Sequence, residues 1–187
     1  MPSTASTYGL IPVNHPSGVI RPFAMTIASG YAANLYQNQP VKVDATTGTV
    51  VAAAIGDAFV GSFQGVEWTD SDGRRRISNK WTTGTVATDV VAYVTLDQTI
   101  TYQIQSSNGT LAVTDIGSQY NTSAIAGNTT TGLSSMSLDS GTVTTSGNKQ
   151  LRLIGIVPGP DNNWGDTYVN ALVQISLHQN TANVAAY

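Results

Sequence analysis

Apolar and polar residues alternate along the chain in short runs broken by Gly, Asn and Asp, and no run of helical spacing is longer than a turn or two. In residues 99–105, Ile100, Tyr102 and Ile104 fall on one face and Thr101, Gln103 and Gln105 on the other. Residues 90–96 precede this run with Asp97-Gln98 at the corner, and Ser107-Asn108-Gly109 follows as a hairpin signal, so the pattern predicts a meander of at least three antiparallel strands. The nearly continuous apolar run 151–157 predicts a central strand. Residues 166–178 predict a two-faced one, with Val169, Ala171, Val173, Ile175 and Leu177 together.

The first half reads the same way. Residues 40–44 and 49–52 flank a turn at Thr46-Thr47-Gly48 and predict a hairpin. The run 58–68 carries Gly61 and Gly65, which in a strand signal a bulge or a close backbone approach. Asp70-Ser71-Asp72-Gly73 turns the chain into a return strand over 74–81, and residues 27–37 admit a short helix. Residues 1–18, with Pro2, Pro12 and Pro16, read as an extended N-terminal arm that docks its apolar stretch 8–13 on a partner surface, or else as a disordered leader. Residues 117–149, rich in Gly, Ser and Thr, predict long surface loops that are mobile unless covered. The expected organisation is an arm (1–18), a β-rich domain (19–178) divisible into lobes at about 19–85 and 86–178, and a tail (179–187). The fold class is all-β, an antiparallel barrel or sandwich.

Composition agrees with strands. Among 187 residues there are 25 Thr and 17 Ser but one glutamate, Glu67, whereas helix surfaces draw on Glu, Lys and Arg. A net charge of −3 argues against nucleic acid as a partner, because binding through phosphates needs many Lys and Arg. The chain has no Cys, which excludes disulfides and thiolate metal sites. No apolar stretch reaches membrane-spanning length and the N-terminus lacks the pattern of a signal peptide, so the expectation is a soluble protein with no membrane partner that stays where it is made.

Candidate chemistry is sparse. The aspartates at 70 and 72 sit where turns use Asp for local hydrogen bonds, and Arg74-Arg75-Arg76 follows where a calcium loop would need more oxygen ligands. Asp161-Asn162-Asn163-Trp164-Gly165-Asp166 is the better oxygen-rich cluster, with a loop as its simpler reading. Two histidines, His15 and His178, cannot build a three-histidine zinc site, and no nucleophile-elbow or phosphate-loop spacing occurs. The chain is therefore expected to be no enzyme and to use no cofactor. Arg74, Arg75 and Arg76 alternate across a strand, so they form no single patch. At least one must pack its stem against protein or pair with an acid such as Glu67 or Asp70, and the run reads either as solvated edge charges or as intermolecular contacts. Trp68 and Trp81 flank the same hairpin and serve equally as interface anchors or core.

Several segments together resemble the capsid decoration, or cement, proteins and related virion structural proteins of tailed bacteriophages. They are Tyr8-Gly9-Leu10-Ile11-Pro12-Val13-Asn14-His15-Pro16-Ser17-Gly18, Arg21-Pro22, Asn38-Gln39-Pro40-Val41-Lys42-Val43, and the run 61–70 with Gly73-Arg74-Arg75-Arg76 and Ser78-Asn79-Lys80-Trp81. The resemblance covers roughly the first 85 residues, and the second half matches in style only. It implies a small β-barrel or sandwich made in the host bacterial cytoplasm and seated on the outer surface of an icosahedral capsid. The partners implied are the major capsid protein and the chain itself, as a homotrimer. On this reading the interface residues are Tyr8, Leu10, Ile11, His15, Arg21, Trp68, Arg74, Arg75, Arg76 and Trp81. The alternative is a carbohydrate- or receptor-binding module of a phage tail fibre or an adhesin, which requires an exposed aromatic platform beside polar loops.

Overall fold

The corner at Asp97-Gln98 divides the architecture. In the computed structural model, which describes residues 4–123, 126–145 and 147–182, β9 (Thr88–Thr95) enters this corner from one sheet and β10 (Thr101–Ser107) leaves it in another. With strands numbered along the chain, the first sheet runs β1 (Ile11–Asn14), β10, β14 (Asn170–Ile175), β13 (Leu151–Ile156), β11 (Gln119–Tyr120), all antiparallel. A two-residue strand, β12 (Leu138–Asp139), adds to β10 in parallel. The second sheet runs β2 (Phe23–Met25), β9, β6 (Gly61–Thr69), β4 (Pro40–Val43), β5 (Val50–Ala52), with β7 (Arg75–Ser78) beside the far half of β6. A small ribbon pairs β3 (Leu35–Tyr36) with β8 (Lys80–Trp81). Each sheet keeps two separate edges, so the molecule is a β-sandwich in class and not a closed barrel.

Each sheet has its own core. Leu10, Phe59, Ile100, Tyr102, Ile104, Leu151, Leu153 and the β14 face pack together, and Phe63, Val66, Val94, Leu35 and Trp81 form a second cluster. The two lobes therefore meet at residues 96–100 and not at 85/86, and the first lobe owns β9 while the second owns β1. The predicted meander fails for a local reason. Asp97 Oδ1 accepts both the N–H and the hydroxyl of Thr99, at 2.8 and 2.6 Å, and this ordered corner sends β10 away from β9, whose two edges are already filled by β2 and β6. Tyr102 ties the sheets back together through Thr95 Oγ1 at 3.0 Å, and burial pushes its phenol up to about 12, so it stays a neutral hydrogen-bonding group.

Other sequence expectations are corrected by packing. The 27–37 segment is no helix: Gly30 takes φ 75°, its N–H goes to Thr85, and Leu35 and Tyr36 pair with Trp81 and Lys80. Asn108-Gly109 turns the chain but starts no hairpin, because Asn108 bonds Asp139 and the next apolar residue, Leu111, enters the core. Nor are residues 117–149 merely a surface loop. Tyr120, Met136 and Leu138 are buried in the first core, and Gln150 Oε1 holds the N–H and hydroxyl of Thr122. The hairpin of β4 and β5, the bulge at Gly65 and the turn at Asp70–Gly73 stand as the sequence reads them.

The N-terminal segment is no free arm over its described residues. Ile11–Asn14 pairs with β10, Leu10 is fully buried, and its N–H bonds Asn38 O at 2.7 Å. The tail expectation over 179–187 lies partly outside the described residues, and Gln179 clasps the backbone of Val43 through both ends of its amide.

His178 lies just beyond β14 in a buried position opposite Phe59, and burial pushes its imidazole down from 6.5, against the opposing pull of the backbone carbonyls of Leu96 and Val60. An unfolded chain then binds a proton that the folded one resists, so this contribution to stability is complete above the ordinary value and is lost as pH falls below it. We expect the urea midpoint to fall between about pH 7 and pH 5. In His178→Gln that slope should flatten over the same interval; an unchanged slope would show that His178 does not set it.

Candidate interaction surfaces

Two exposed regions gather the residues that the sequence singles out. The first is a cleft at the bend where β1 passes into β2 alongside the β9–β10 corner. It encloses about 360 Å³ and is lined by His15, Ser17, Val19, Arg21, Phe23, Asp97 and Ile100. Pro16 and Gly18 make the local fold: a tight turn closes with Gly18 N–H on His15 O at 2.8 Å, Gly18 at φ 75°. His15 then sits between two partners, Ser17 Oγ at 2.6 Å from Nδ1 and Asp97 Oδ2 at 3.0 Å from Nε2. Because the Ser17 N–H also donates to Nδ1, at 3.1 Å, that nitrogen is the acceptor and Nε2 carries the proton toward Asp97. Hydrogen bonds from Thr99, joined by His15 and opposed by partial burial, hold the Asp97 carboxyl below the usual carboxylate range.

Serine, histidine and aspartate in hydrogen-bonded series is also the order of a hydrolytic relay. Here the series works as a turn lock, since both the Ser17 hydroxyl and its own N–H converge on one ring nitrogen and Ser17 Oγ takes the Val19 N–H at 3.4 Å. Its structural effect is to fasten the β1–β2 bend to the inter-sheet corner.

The second region is the β6–β7 hairpin. Asp70 Oδ1 accepts the N–H groups of Asp72 and Arg74, at 3.0 and 2.9 Å, while Oδ2 pairs with Arg76 Nε at 2.7 Å. Arg75 reaches Glu67 at 2.8 Å, and Glu67 also accepts the Tyr93 hydroxyl at 3.0 Å. The Arg74 N–H and the Arg76 guanidinium lower the Asp70 carboxyl, and Arg75 followed by Tyr93 lowers Glu67. Two of the three arginines are thus engaged within the chain. Beside them Ile77 is 80% exposed, on a strand that pairs with β6 on one side and, among the described residues, with no strand on the other.

The remaining candidates divide by burial. Trp81 is fully buried, and Trp68 packs half-buried against it, ring centroids 5.8 Å apart at 71°. Leu10 and Trp81 therefore serve the cores of the folded chain and present no surface to a partner. Tyr8 is half-buried, its hydroxyl donating to Asn170 Oδ1 at 2.9 Å and accepting from Gln103 at 2.8 Å, and Ile11 lies half-buried on β1. Arg21, Arg74, Arg75 and Arg76 are exposed. Sequence reasoning missed Phe23, Asp97 and Ile77. Ile77 carried a readable signal, an apolar residue set between Arg76 and Ser78, but alternation alone points such a residue inward.

Among the described residues no three His, Asp or Glu side chains converge as metal ligands, and no helix is long and apolar enough to cross a membrane. Compared with known protein families, with curated proteins and with solved structures, the chain matches none.

Proposed function

We propose that the chain is a structural component of a bacteriophage particle, a decoration protein that binds the outside of an icosahedral shell and braces neighbouring major capsid subunits, itself a homotrimer. The motifs of the first 85 residues support this reading, and one geometric observation carries it furthest: Ile77 stands exposed on the outer strand of the hairpin, on the face it shares with Arg75, which Glu67 already holds in place. An apolar centre inside an ordered polar rim is the make-up of a protein-binding patch, and side chains fixed beforehand lose little entropy on docking. Symmetry multiplies each modest contact, so weak single sites give firm retention.

Sedimentation with shells that lack the protein tests the proposal. The native chain is expected to co-sediment, and Ile77→Asp to lower retention at least roughly tenfold while its unfolding free energy stays within about 0.5 kcal/mol, as for a surface change. Electron microscopy of the parent particle showing no corresponding density would overturn the reading. The half-exposed ring of Phe23 beside Ser17, Arg21 and Asp97 is the one feature that favours the carbohydrate-binding alternative, and retention on a glycan surface without shell binding would select it.

A further inference from the structure

The cleft at the β1–β2 bend has an unequal store of free hydrogen-bonding groups. Both nitrogens of His15 are used, by Ser17 and by Asp97. Asp97 Oδ1 is filled by the N–H and hydroxyl of Thr99, and Asp97 Oδ2 faces His15. Ser17 Oγ is shared between His15 and Val19 N–H. Arg21 differs from all of them. Among the described residues its guanidinium has no acid within salt-bridge distance and no hydrogen-bond partner, although Asp97 lines the same cleft. The unused capacity is thus chiefly five donors in a planar fork, which suits a carboxylate.

The rest of the wall selects what carries that carboxylate. Val19 and Phe23, each 52% exposed, stand beside Arg21, and the buried Ile100 closes the floor. Phe23 also begins β2, whose one strand partner among the described residues is β9; Thr26 O, just past its far end, takes the Val50 N–H, so an extended chain lying in the cleft finds its open backbone edge at the Phe23 end. A free polyol would need acceptors as well as donors, and this cleft has few left to give.

We propose that the cleft binds an extended peptide segment of a protein partner, seating an acidic side chain on Arg21 and an apolar neighbour against Val19 and Phe23. The inference rests on the proposed role as a structural protein that grips another protein, and names the chemistry of the segment gripped. The probes are the capped peptide acetyl-Leu-Val-Glu-Val-Leu-amide, its Gln counterpart, and butyrate as a free carboxylate, each titrated against the whole chain by NMR. The Glu peptide is expected to shift the Phe23 and Ile100 resonances and to bind at least roughly tenfold tighter than the Gln peptide. Arg21→Gln should erase that difference and Arg21→Lys should keep part of it; Arg21 is solvent-exposed, so an unchanged urea midpoint verifies the fold of both variants. Equal binding of the two peptides, binding that survives Arg21→Gln, or saturation by butyrate at the same concentration as the peptide overturns the proposal. If the peptides fail while the native chain still co-sediments with shells, the cleft assignment falls and the shell role stands. If the Glu peptide binds as expected while shells are ignored, the reverse holds.

Discussion

Gly61→Ala is expected to destabilise the fold by at least about 3 kcal/mol, a drop of roughly 6–12 °C in melting temperature for a chain of this size. Gly61 opens β6 where it crosses β9, and a Cβ placed there would lie 1.8 Å from the carbonyl oxygen of Thr95 and 3.2 Å from Val94 Cγ1. The obstruction is backbone in the middle of a sheet, so relief requires the β6–β9 register to shift. That register carries Phe63 and Val66 into the second core and sets Ser62 Oγ on Leu10 O at 2.8 Å. A calorimetric melt compared with Gly155→Ala, where an added Cβ meets nothing within 4 Å, separates close approach from a general loss of glycine. Similar melting of the two variants would sink the explanation.

Removal of residues 1–18 is expected to unfold the first sheet, whatever it does to partner binding. Leu10 is fully buried in the core of the second lobe, and the truncation also strips β1 from the edge of β10, the hydroxyl of Tyr8 from Asn170, and the His15 lock from Asp97. Leu10→Ala alone should cost roughly 2–5 kcal/mol, the range for a buried leucine whose site only partly collapses. Urea unfolding measures both. A truncated chain with a native midpoint would show that the segment is dispensable for the fold. Truncation is consequently a poor test of docking by this segment, and surface substitutions such as Ile77→Asp and Arg21→Gln are the informative ones.

Legibility in the sequence follows the range of the interactions. The 40–52 hairpin, the Asp70–Gly73 turn and the Gly65 bulge are set by residues within a few positions of one another, and each is readable from turn chemistry alone. The face of β14, with Val169, Ala171, Val173 and Ile175 all buried, follows from alternation. What sequence did not reveal is which strands share a sheet. β9 and β10 are adjacent along the chain and read as partners, but Asp97 orders the intervening corner through Thr99, a hydrogen-bonding choice that periodicity does not encode. The 117–149 segment looks like loop because its buried residues, Tyr120, Met136 and Leu138, are single apolar side chains in polar surroundings, and the segment is held by Gln150, Gln37 and Gly9 at long range. The cleft is half visible: His15 is one of two histidines and Arg21 lies in a motif of the first 85 residues, while Phe23 and Asp97 join them only once β1 and β2 lie along β9 and β10.

The position of β1 has a bearing on biosynthesis. The strand nearest the start of the chain is laid against β10, whose other edge is filled by β14, near the end. A nascent polypeptide emerging from the ribosome can assemble most of the second sheet early, but Leu10 has no complete core to enter until residues 151–175 have been translated. Such distant pairing makes folding slow relative to chains of local topology. It also means that the core around Leu10 closes late, although the strands that hold the bend of His15 and Arg21, β9 and β10, are made well before it.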